Sequence, residues 1–248
     1  MLPEISAAIR SGRLLTFLRL FLAPVALGAI TVLGFAPFQF YFVPPVTLTG
    51  LLLIWLRCRT LRSAAAVGFA FGAGMFLAGV SWVYVSLHVY GGMVMPIAAL
   101  FTLLFCLIQA CYPALVCAVL LPLRANTPVR LMLLFPALWG LSEWVRSWLL
   151  SGFPWLAIGY SQVPSSPLAG YAPLLGVYGV SVITATVAGA AACAINGLFL
   201  RRSSAEGRQV PGFIAGVCIA GTFVIAGAVL KTHQWTQPVP GEPTRVTL

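Results

Sequence analysis

Long apolar runs recur along this chain of 248 residues, and short stretches containing glycine, proline or arginine separate them. Each run approaches the roughly 20 residues that an α-helix needs to cross a bilayer. The pattern predicts an all-α fold, a polytopic helical membrane bundle with seven transmembrane helices. The predicted spans are about 14–36, 40–56, 64–87, 93–121, 131–150, 179–200 and 210–230.

The apolar character between positions 167 and 200 is too long for one span. Its first part contains Gly170, Pro173, Gly176 and Gly179, residues that interrupt regular helix. We therefore expect a short surface or re-entrant segment near 167–178 before the sixth span.

Two glycines in the third apolar run have the spacing of a helix contact. Gly68 and Gly72 are four residues apart, so they share a helix face and present no side chain there. Small residues at this spacing allow close approach of two helices in a membrane. The pattern predicts that this face packs against another span.

The composition supports a membrane protein. Hydrophobic residues make up 60% of the chain and charged residues 7%, and the mean hydropathy is +1.01. Soluble domains carry about 25% charged residues. The net charge of +10 comes from arginines between apolar runs, which is typical of charges that orient a membrane protein. We therefore expect the bilayer, and no nucleic acid, as a partner.

The basic residues alternate between predicted loops. The N-terminus and the second, fourth and sixth interspan loops hold 11 of the 14, and the loops after spans one, three and five hold none. Because basic loops stay in the cytoplasm, this predicts a cytoplasmic N-terminus and a periplasmic tail. The predicted organisation is a seven-span domain over 1–230 and a periplasmic juncture over 231–248.

The six cysteines predict packing rather than chemistry. Five lie within apolar runs, none forms a C-x-x-C motif, and none has a histidine at metal-ligand spacing. A nucleophilic cysteine also needs a nearby base, which the apolar runs do not offer. The sequence therefore predicts no metal site and no catalytic cysteine.

The most unusual apolar run carries an acid. The chain has four glutamates and no aspartate, and Glu143 is the only acid inside an apolar run. Arg146 follows three residues later on the same helix face, which predicts a structural ion pair. Charged residues within spans face protein or water and often mark a functional site, so a functional role stays open.

The predicted topology collects unusual aromatic and polar side chains near the outer face. Aromatic residues at span ends often form an interfacial belt, and histidines there are usually structural. Pro154, with an aromatic residue on either side, instead favours a rigid lip for acyl chains. The candidate lipid-binding residues are Tyr84, His88, Phe153, Trp155, Tyr160 and Gln162.

Two functions from other classes remain open at this point. In a multi-pass transporter or channel, Glu143 and Arg146 would line a solute path, but such folds usually have internal repeats and broken helices at the midplane. No internal repeat is visible in the sequence. A non-catalytic lipid-binding subunit would need only the outer-face cluster.

Several motifs, in order along nearly the whole chain, resemble the membrane portion of apolipoprotein N-acyltransferases. Ser147 departs from the pattern, because the family often has glycine there, and the loop at 88–90 also varies. The matching stretches are Gly34-Phe35-Ala36-Pro37-Phe38, Trp82-Val83-Tyr84-Val85-Ser86, Gly91-Gly92-Met93, Pro136-Ala137-Leu138-Trp139, Glu143-Trp144-Val145-Arg146-Ser147-Trp148, Gly152-Phe153-Pro154-Trp155-Leu156, Gly159-Tyr160-Ser161-Gln162 and Pro167-Leu168-Ala169-Gly170.

This resemblance implies an inner-membrane enzyme of lipoprotein maturation that is active on the periplasmic side. Such an enzyme transfers an acyl chain from phospholipid to the N-terminal amino group of diacylglyceryl-cysteine in apolipoproteins, through a cysteine thioester. We expect a monomer without a cofactor. The family's Glu-Lys-Cys triad lies in a nitrilase-like domain before an eighth span, so we expect no catalytic residue in this chain and no activity from it alone. Trp235 matches a tryptophan that the family uses near its active site.

Overall fold

The computed structural model describes residues 21–203 and 210–236. These residues form helices and turns and contain no β-strand. The main helices are α1 (Ala23–Thr31), α2 (Val43–Trp55), α3 (Leu61–Gly79), α4 (Met95–Leu120), α5 (Phe135–Arg146), α6 (Ala172–Ser203) and α7 (Val210–Lys231). The all-α prediction is confirmed for the described residues. Positions 14–20 of the first predicted span and 237–248 of the tail lie outside them.

Helix starts follow local sequence. At the start of α3, the Thr60 side chain accepts a hydrogen bond from the Ser63 N–H, and the Ser63 side chain accepts one from the Thr60 N–H. This capping box satisfies two amides that have no partner within the helix. Helices α1, α2, α4 and α5 each have proline in the first turn, where a missing amide costs least.

Glycines set the spacing of the first helices. A Cβ on Gly28 would collide with the Phe71 carbonyl oxygen, so α1 lies directly against α3. On α3, Gly68 faces the Pro113 carbonyl oxygen, and a Cβ on Gly72 would lie 2.8 Å from the Ala110 Cα. The predicted close contact of this glycine face is confirmed, and its partner is α4.

Two predicted runs are interrupted. Helix α3 ends at Gly79, and the outer part of the predicted span 64–87 continues as separate short helical segments, Val83–Val85 and Ser86–Tyr90. The 167–178 region begins with a 3-10 turn, Pro167–Tyr171. Within α6, Gly176 has non-helical backbone angles (φ 63°, ψ −173°) that break the helix. The predicted interruption of this region is thus present.

The core is made by facing apolar side chains of α2 to α6. A large cluster surrounds Trp55, Phe71 and Phe135, and a smaller one joins the 3-10 turn at 167–171 to α6 and α7 through Tyr171 and Phe223. Many large apolar side chains outside these clusters are exposed, as expected where lipid replaces water.

Within residues 21–203 and 210–236, four helices are long and apolar enough to cross a membrane: Leu61–Gly79, Met95–Leu120, Pro167–Leu198 and Phe213–Lys231. Two shorter apolar helices, Ala23–Gly34 and Val43–Trp55, accompany them. The fifth predicted span corresponds to short segments from Thr127 that lead into α5. The fold is that of a helical membrane protein.

Candidate functional site

The candidate site is built around residues 147–162, which connect α5 to the turn before α6 and are called the site segment below. The chain reverses through Leu150, Ser151 and Gly152, all with positive φ, at 54°, 76° and 76°. A side chain at Gly152 would also collide with the Ser147 carbonyl oxygen. The glycine is therefore required by both the backbone angle and the close approach.

Glu143 holds the site segment from below. Its Oε1 accepts a hydrogen bond from the Ile158 N–H at 2.9 Å and another from Trp139 Nε1 at 2.8 Å. The residue is only 3% exposed, so both bonds lie in the interior. A charge-assisted bond to a buried amide fixes the backbone at Ile158 relative to α5.

Arg146 holds the same segment through carbonyl groups. Its Nη1 donates to the Phe153 oxygen at 2.7 Å and to the Trp155 oxygen, and its guanidinium lies 5.2 Å from the centre of the Phe76 ring. Like Glu143, it is 3% exposed. The two charges thus bind opposite ends of the same stretch of backbone.

The predicted pair of Glu143 and Arg146 is present as an electrostatic attraction between the two charges, but no hydrogen bond joins them directly. Oε1 of Glu143 is occupied by Trp139 and Ile158, and Oε2 accepts no hydrogen bond from the described residues. The helix spacing places both charges on one face, but the site segment approaches that face and supplies their partners. The site segment therefore links the two residues by hydrogen bonds, in addition to the attraction between their charges.

Aromatic side chains form a continuous row above this base. The Trp82 and Trp155 rings are 5.3 Å apart, Trp155 and Phe153 are 6.2 Å apart, and Phe153 meets Phe105 edge-on at 4.9 Å. Such contacts stabilise packing beyond buried area. The row places Phe153 and Trp155 together, as their positions around Pro154 suggested.

A cavity of about 410 Å³ lies on one side of this row. Its walls come from the end of α1 and the turn after it, from the end of α3 and from the site segment. Its size falls within the range of pockets that bind small molecules. The lining residues are Val32, Phe35, Ala36, Gly79, Pro154, Trp155, Leu156 and Tyr160.

Two predicted lipid-binding residues, Trp155 and Tyr160, line this cavity and are each 52% exposed. Gln162 differs, because it is 1% exposed and its Nε2 donates to the Tyr41 carbonyl oxygen at 3.0 Å and to Ser161 Oγ at 2.8 Å. A buried amide with these partners cannot touch lipid. Gln162 is therefore corrected from a lipid contact to a tie between the site segment and the chain before α2.

The remaining candidates lie outside the cavity wall. The Tyr84 and His88 rings are 5.4 Å apart, and His88 Nδ1 is hydrogen-bonded to the Met93 carbonyl oxygen at 2.8 Å. The Trp235 ring is 42% exposed and lies edge-on to His233 at 4.6 Å. These residues form two further aromatic groups, separate from the walls of the 410 Å³ cavity.

The structure adds residues that the sequence did not indicate. The Gly159 N–H donates to Ser181 Oγ at 2.7 Å, which anchors the site segment to α6. Val32 and Gly79 belong to distant elements and complete the cavity wall. A single serine, valine or glycine in an apolar run has no sequence feature that would predict a contact with the site segment or the cavity.

The site segment contains no cysteine, and the cysteines elsewhere lack the features of a nucleophile. Cys58, Cys106 and Cys117 are buried, and burial raises the pKa of the Cys58 thiol in the loop after α2. A raised pKa leaves less thiolate and therefore less nucleophile. Across 21–203 and 210–236, no three His, Cys, Asp or Glu side chains are grouped to hold a metal ion.

Comparisons with known proteins agree on one family. The model of the apolipoprotein N-acyltransferase N-terminal domain matches residues 27–190. The apolipoprotein N-acyltransferase of Nitrosomonas europaea is 44% identical over 231 residues, which cover 92% of this chain and 43% of that protein. The one from Ralstonia nicotianae is 42% identical over 234 residues, covering 92% and 42%. The one from Methylococcus capsulatus is 41% identical over 224 residues, covering 89% and 41%. The chain thus spans less than half the length of these relatives.

Proposed function

This chain belongs to the apolipoprotein N-acyltransferase family, and we propose that it forms the membrane part of such an enzyme. The enzyme would transfer an acyl chain from a phospholipid to the N-terminal amino group of the diacylglyceryl-cysteine of apolipoproteins. The groups that carry the thioester chemistry belong, in this proposal, to the part of the longer relatives that this chain does not span. This chain supplies the scaffold and the access route for lipid, and it works as a monomer.

The observation that carries the proposed lipid role is the cavity beside Trp155 and Tyr160. Most of its lining is apolar, its volume is about 410 Å³, and the site segment forms one wall. The acyl chains of a bilayer lipid are already out of water, so van der Waals packing against this apolar lining would hold a chain there. The Phe153 ring stacks against Trp155, so Phe153, Trp155 and Tyr160 together form the lip of the acyl-chain entry.

The other outer-face aromatic groups have a second role in this proposal. Trp235 places an indole near the lipid headgroups, where its ring is partly buried and its N–H can reach a polar partner. Tyr84 and His88, on the short helical segments after α3, form a separate aromatic group that we assign to contact with the lipid headgroups. Glu143 and Arg146 stabilise the site segment and take no part in acyl transfer.

We place the chain in the bacterial inner membrane with seven spans, a cytoplasmic N-terminus and the site on the periplasmic side. The alternation of basic loops supports this orientation. A test introduces single cysteines as Arg59→Cys and Val89→Cys and labels intact cells with a membrane-impermeant maleimide after the native cysteines are replaced. We expect labelling only at position 89, and labelling only at position 59 would reverse the orientation.

The enzymatic proposal is tested in a fusion of this chain to the remaining part of the Nitrosomonas relative. We expect the fusion to acylate a diacylated lipopeptide, whereas the unfused chain does not. A folded fusion that binds lipid but transfers no acyl chain would favour a non-catalytic lipid-binding subunit. Activity from the unfused chain would overturn the division of roles.

The lipid site is tested in the same fusion with a matched pair of tryptophans. Trp155→Ala removes a cavity wall, and Trp148→Ala removes an equally exposed indole outside the cavity. We expect photocrosslinking of a phospholipid analogue to fall in the first variant and to persist in the second. Equal crosslinking in the two variants would contradict the proposed entry.

A further inference from the structure

A much smaller cavity lies between α3, α4 and α5. Its volume is about 10 Å³. A single ordered water needs about this much room. The lining residues are Met75, Phe76, Tyr112, Pro113, Trp139, Ser142, Glu143 and Arg146. Several of them are almost fully buried, including Phe76 at 2% and Trp139 at 3% exposure.

The carboxylate that lines this cavity has an oxygen without a close hydrogen bond from the described residues. Glu143 is 3% exposed, and its Oε1 accepts two hydrogen bonds, whereas Oε2 accepts none of good geometry, although the Ser181 hydroxyl lies near the same carboxyl. A buried charged oxygen without a hydrogen bond costs several kcal/mol, so native structures rarely leave one. The cavity is where a partner for Oε2 would fit.

The other charged group on the cavity has donors to spare. A guanidinium carries five N–H donors, and Arg146 uses Nη1 for the carbonyl oxygens of Phe153 and Trp155. Ser142 Oγ donates its own proton to the Trp139 carbonyl oxygen at 2.7 Å, so its lone pairs remain available as acceptors. The wall therefore offers both donors and acceptors.

The charges on the wall select the kind of ligand. A cation would be repelled by Arg146 and an anion by Glu143, because both line the same small space. A water molecule is neutral, can donate to Oε2 and can accept from a guanidinium N–H. Buried waters make two to four such bonds, which this wall can supply.

We propose that this cavity is a binding site for one ordered water, which joins Glu143 Oε2 to the guanidinium of Arg146. The water completes a ring of hydrogen bonds. On one side the water connects the Glu143 and Arg146 side chains, and on the other the site segment connects them through Ile158, Phe153 and Trp155. The two residues thus act as one unit even though they do not bond directly. This site is independent of the acyl-chain cavity and of the proposed enzymatic activity.

The site is tested by X-ray radiolytic hydroxyl-radical labelling of the full chain in lipid nanodiscs, followed by mass spectrometry. Radicals formed from a bound water modify the side chains beside it, even when bulk solvent cannot reach them. The chain offers closely matched controls: Phe76 and Trp139, 2% and 3% exposed, line the cavity, whereas Phe71 and Trp55, 0% and 1% exposed, do not. We expect several-fold faster labelling of Phe76 than of Phe71, and of Trp139 than of Trp55.

Two substitutions identify the group that holds the water. Glu143→Gln keeps polar atoms at the cavity and should retain the faster labelling, whereas Glu143→Leu should reduce Phe76 and Trp139 to the rates of their controls. Equal rates within both pairs of the unsubstituted protein would overturn the proposal, even if Glu143→Leu does not fold. Faster labelling that persists in a folded Glu143→Leu protein would also overturn it.

Infrared spectroscopy distinguishes a Glu143 carboxylate that is bonded to water from a protonated Glu143 carboxyl group. Only a protonated carboxyl group gives a carboxylic-acid C=O stretching band. Because the proposed water site holds Glu143 as a carboxylate, the spectrum of Glu143→Gln should lose no such band relative to the unsubstituted protein. A band that disappears in Glu143→Gln, together with equal labelling rates within both pairs, would show a dry, protonated carboxyl and contradict the water site.

Discussion

The Glu143 carboxylate and the Ile158 amide, 15 positions apart in the sequence, are joined by a 2.9 Å hydrogen bond that closes the loop between them. Arg146 complements this bond, because it donates to two carbonyl oxygens of the same loop. One side chain thus satisfies a backbone donor and the other satisfies backbone acceptors. An irregular segment at a membrane needs such partners, since lipid offers none.

We expect Glu143→Ala to destabilise the protein and to impair substrate entry. The substitution leaves two buried donors, Ile158 N–H and Trp139 Nε1, without their acceptor. Each costs about 1–3 kcal/mol. The measurement is the thermal unfolding midpoint in detergent together with lipid photocrosslinking, and Glu143→Gln, which keeps one oxygen, should show a smaller loss.

The same substitution separates a positioning role from a catalytic one. In the fusion with the Nitrosomonas part, any folded Glu143→Ala protein should still form the thioester once substrate has entered. A well-folded Glu143→Ala enzyme that binds substrate normally but forms no thioester would show that the positioning role is wrong.

Arg146→Met should loosen the site segment. Loss of charge-assisted bonds to the Phe153 and Trp155 oxygens removes about 1.5–3 kcal/mol of local stability. Because 1.4 kcal/mol corresponds to a factor of ten in an equilibrium, we expect at least about tenfold faster protease cleavage within 147–157. Arg130→Met is the control, because Arg130 stacks on Trp55 at 4.7 Å, away from the segment. Equal acceleration in both variants would indicate general destabilisation instead.

Val32→Phe should narrow the acyl-chain cavity. Val32 lines it, and a larger side chain competes with lipid for the same volume. In the active fusion we expect the apparent KM for phospholipid to rise about tenfold with little change in kcat, the pattern of lost binding. Val46→Phe changes an exposed position on α2 and should leave KM unaltered. An unchanged KM in folded Val32→Phe enzyme would place the acyl chain elsewhere.

Gly72→Ala should destabilise the contact between α3 and α4. The new Cβ would lie 2.8 Å from the Ala110 Cα, which is backbone and cannot rotate away. Overpacking of this kind costs about 1–3 kcal/mol. Gly221→Ala is the matched control, because no atom beyond the adjoining backbone of its own helix lies within 4 Å of the added Cβ. The thermal unfolding midpoint should fall only for Gly72→Ala, and a fall of equal size at both positions would contradict the packing argument.

The helices were predictable because apolar length and glycine spacing are local properties. The Gly68 and Gly72 face was predicted to touch another helix, and it does, although the identity of α4 as the partner depends on the fold. The end of α3 at Gly79 was not predicted, because Val80, Ser81 and Trp82 contain no proline that would stop a helix.

The sequence predicted which residues belong to the candidate site better than it predicted their hydrogen-bond partners. The three-residue spacing of Glu143 and Arg146 correctly placed them together, but it could not show that backbone from 153–158 would cover them. Gln162 was misjudged for a similar reason, since only the tertiary fold brings the Tyr41 carbonyl oxygen within 3.0 Å of its amide. Trp155 and Tyr160 reach the cavity as expected of an aromatic loop.

Lys231, the last residue of α7, reaches back to the turn after the site segment, and its Nζ donates to the carbonyl oxygens of Ser165 at 3.1 Å and Ser166 at 3.4 Å. The direction in which the chain leaves the membrane after α7 is therefore set by this turn as well as by the helix itself. If the turn moved, the direction of the chain after Lys231 would change, and Trp235, four residues later, would move with it. The turn at Ser165 and Ser166 thereby supports both the proposed substrate entry and the position of the chain after α7.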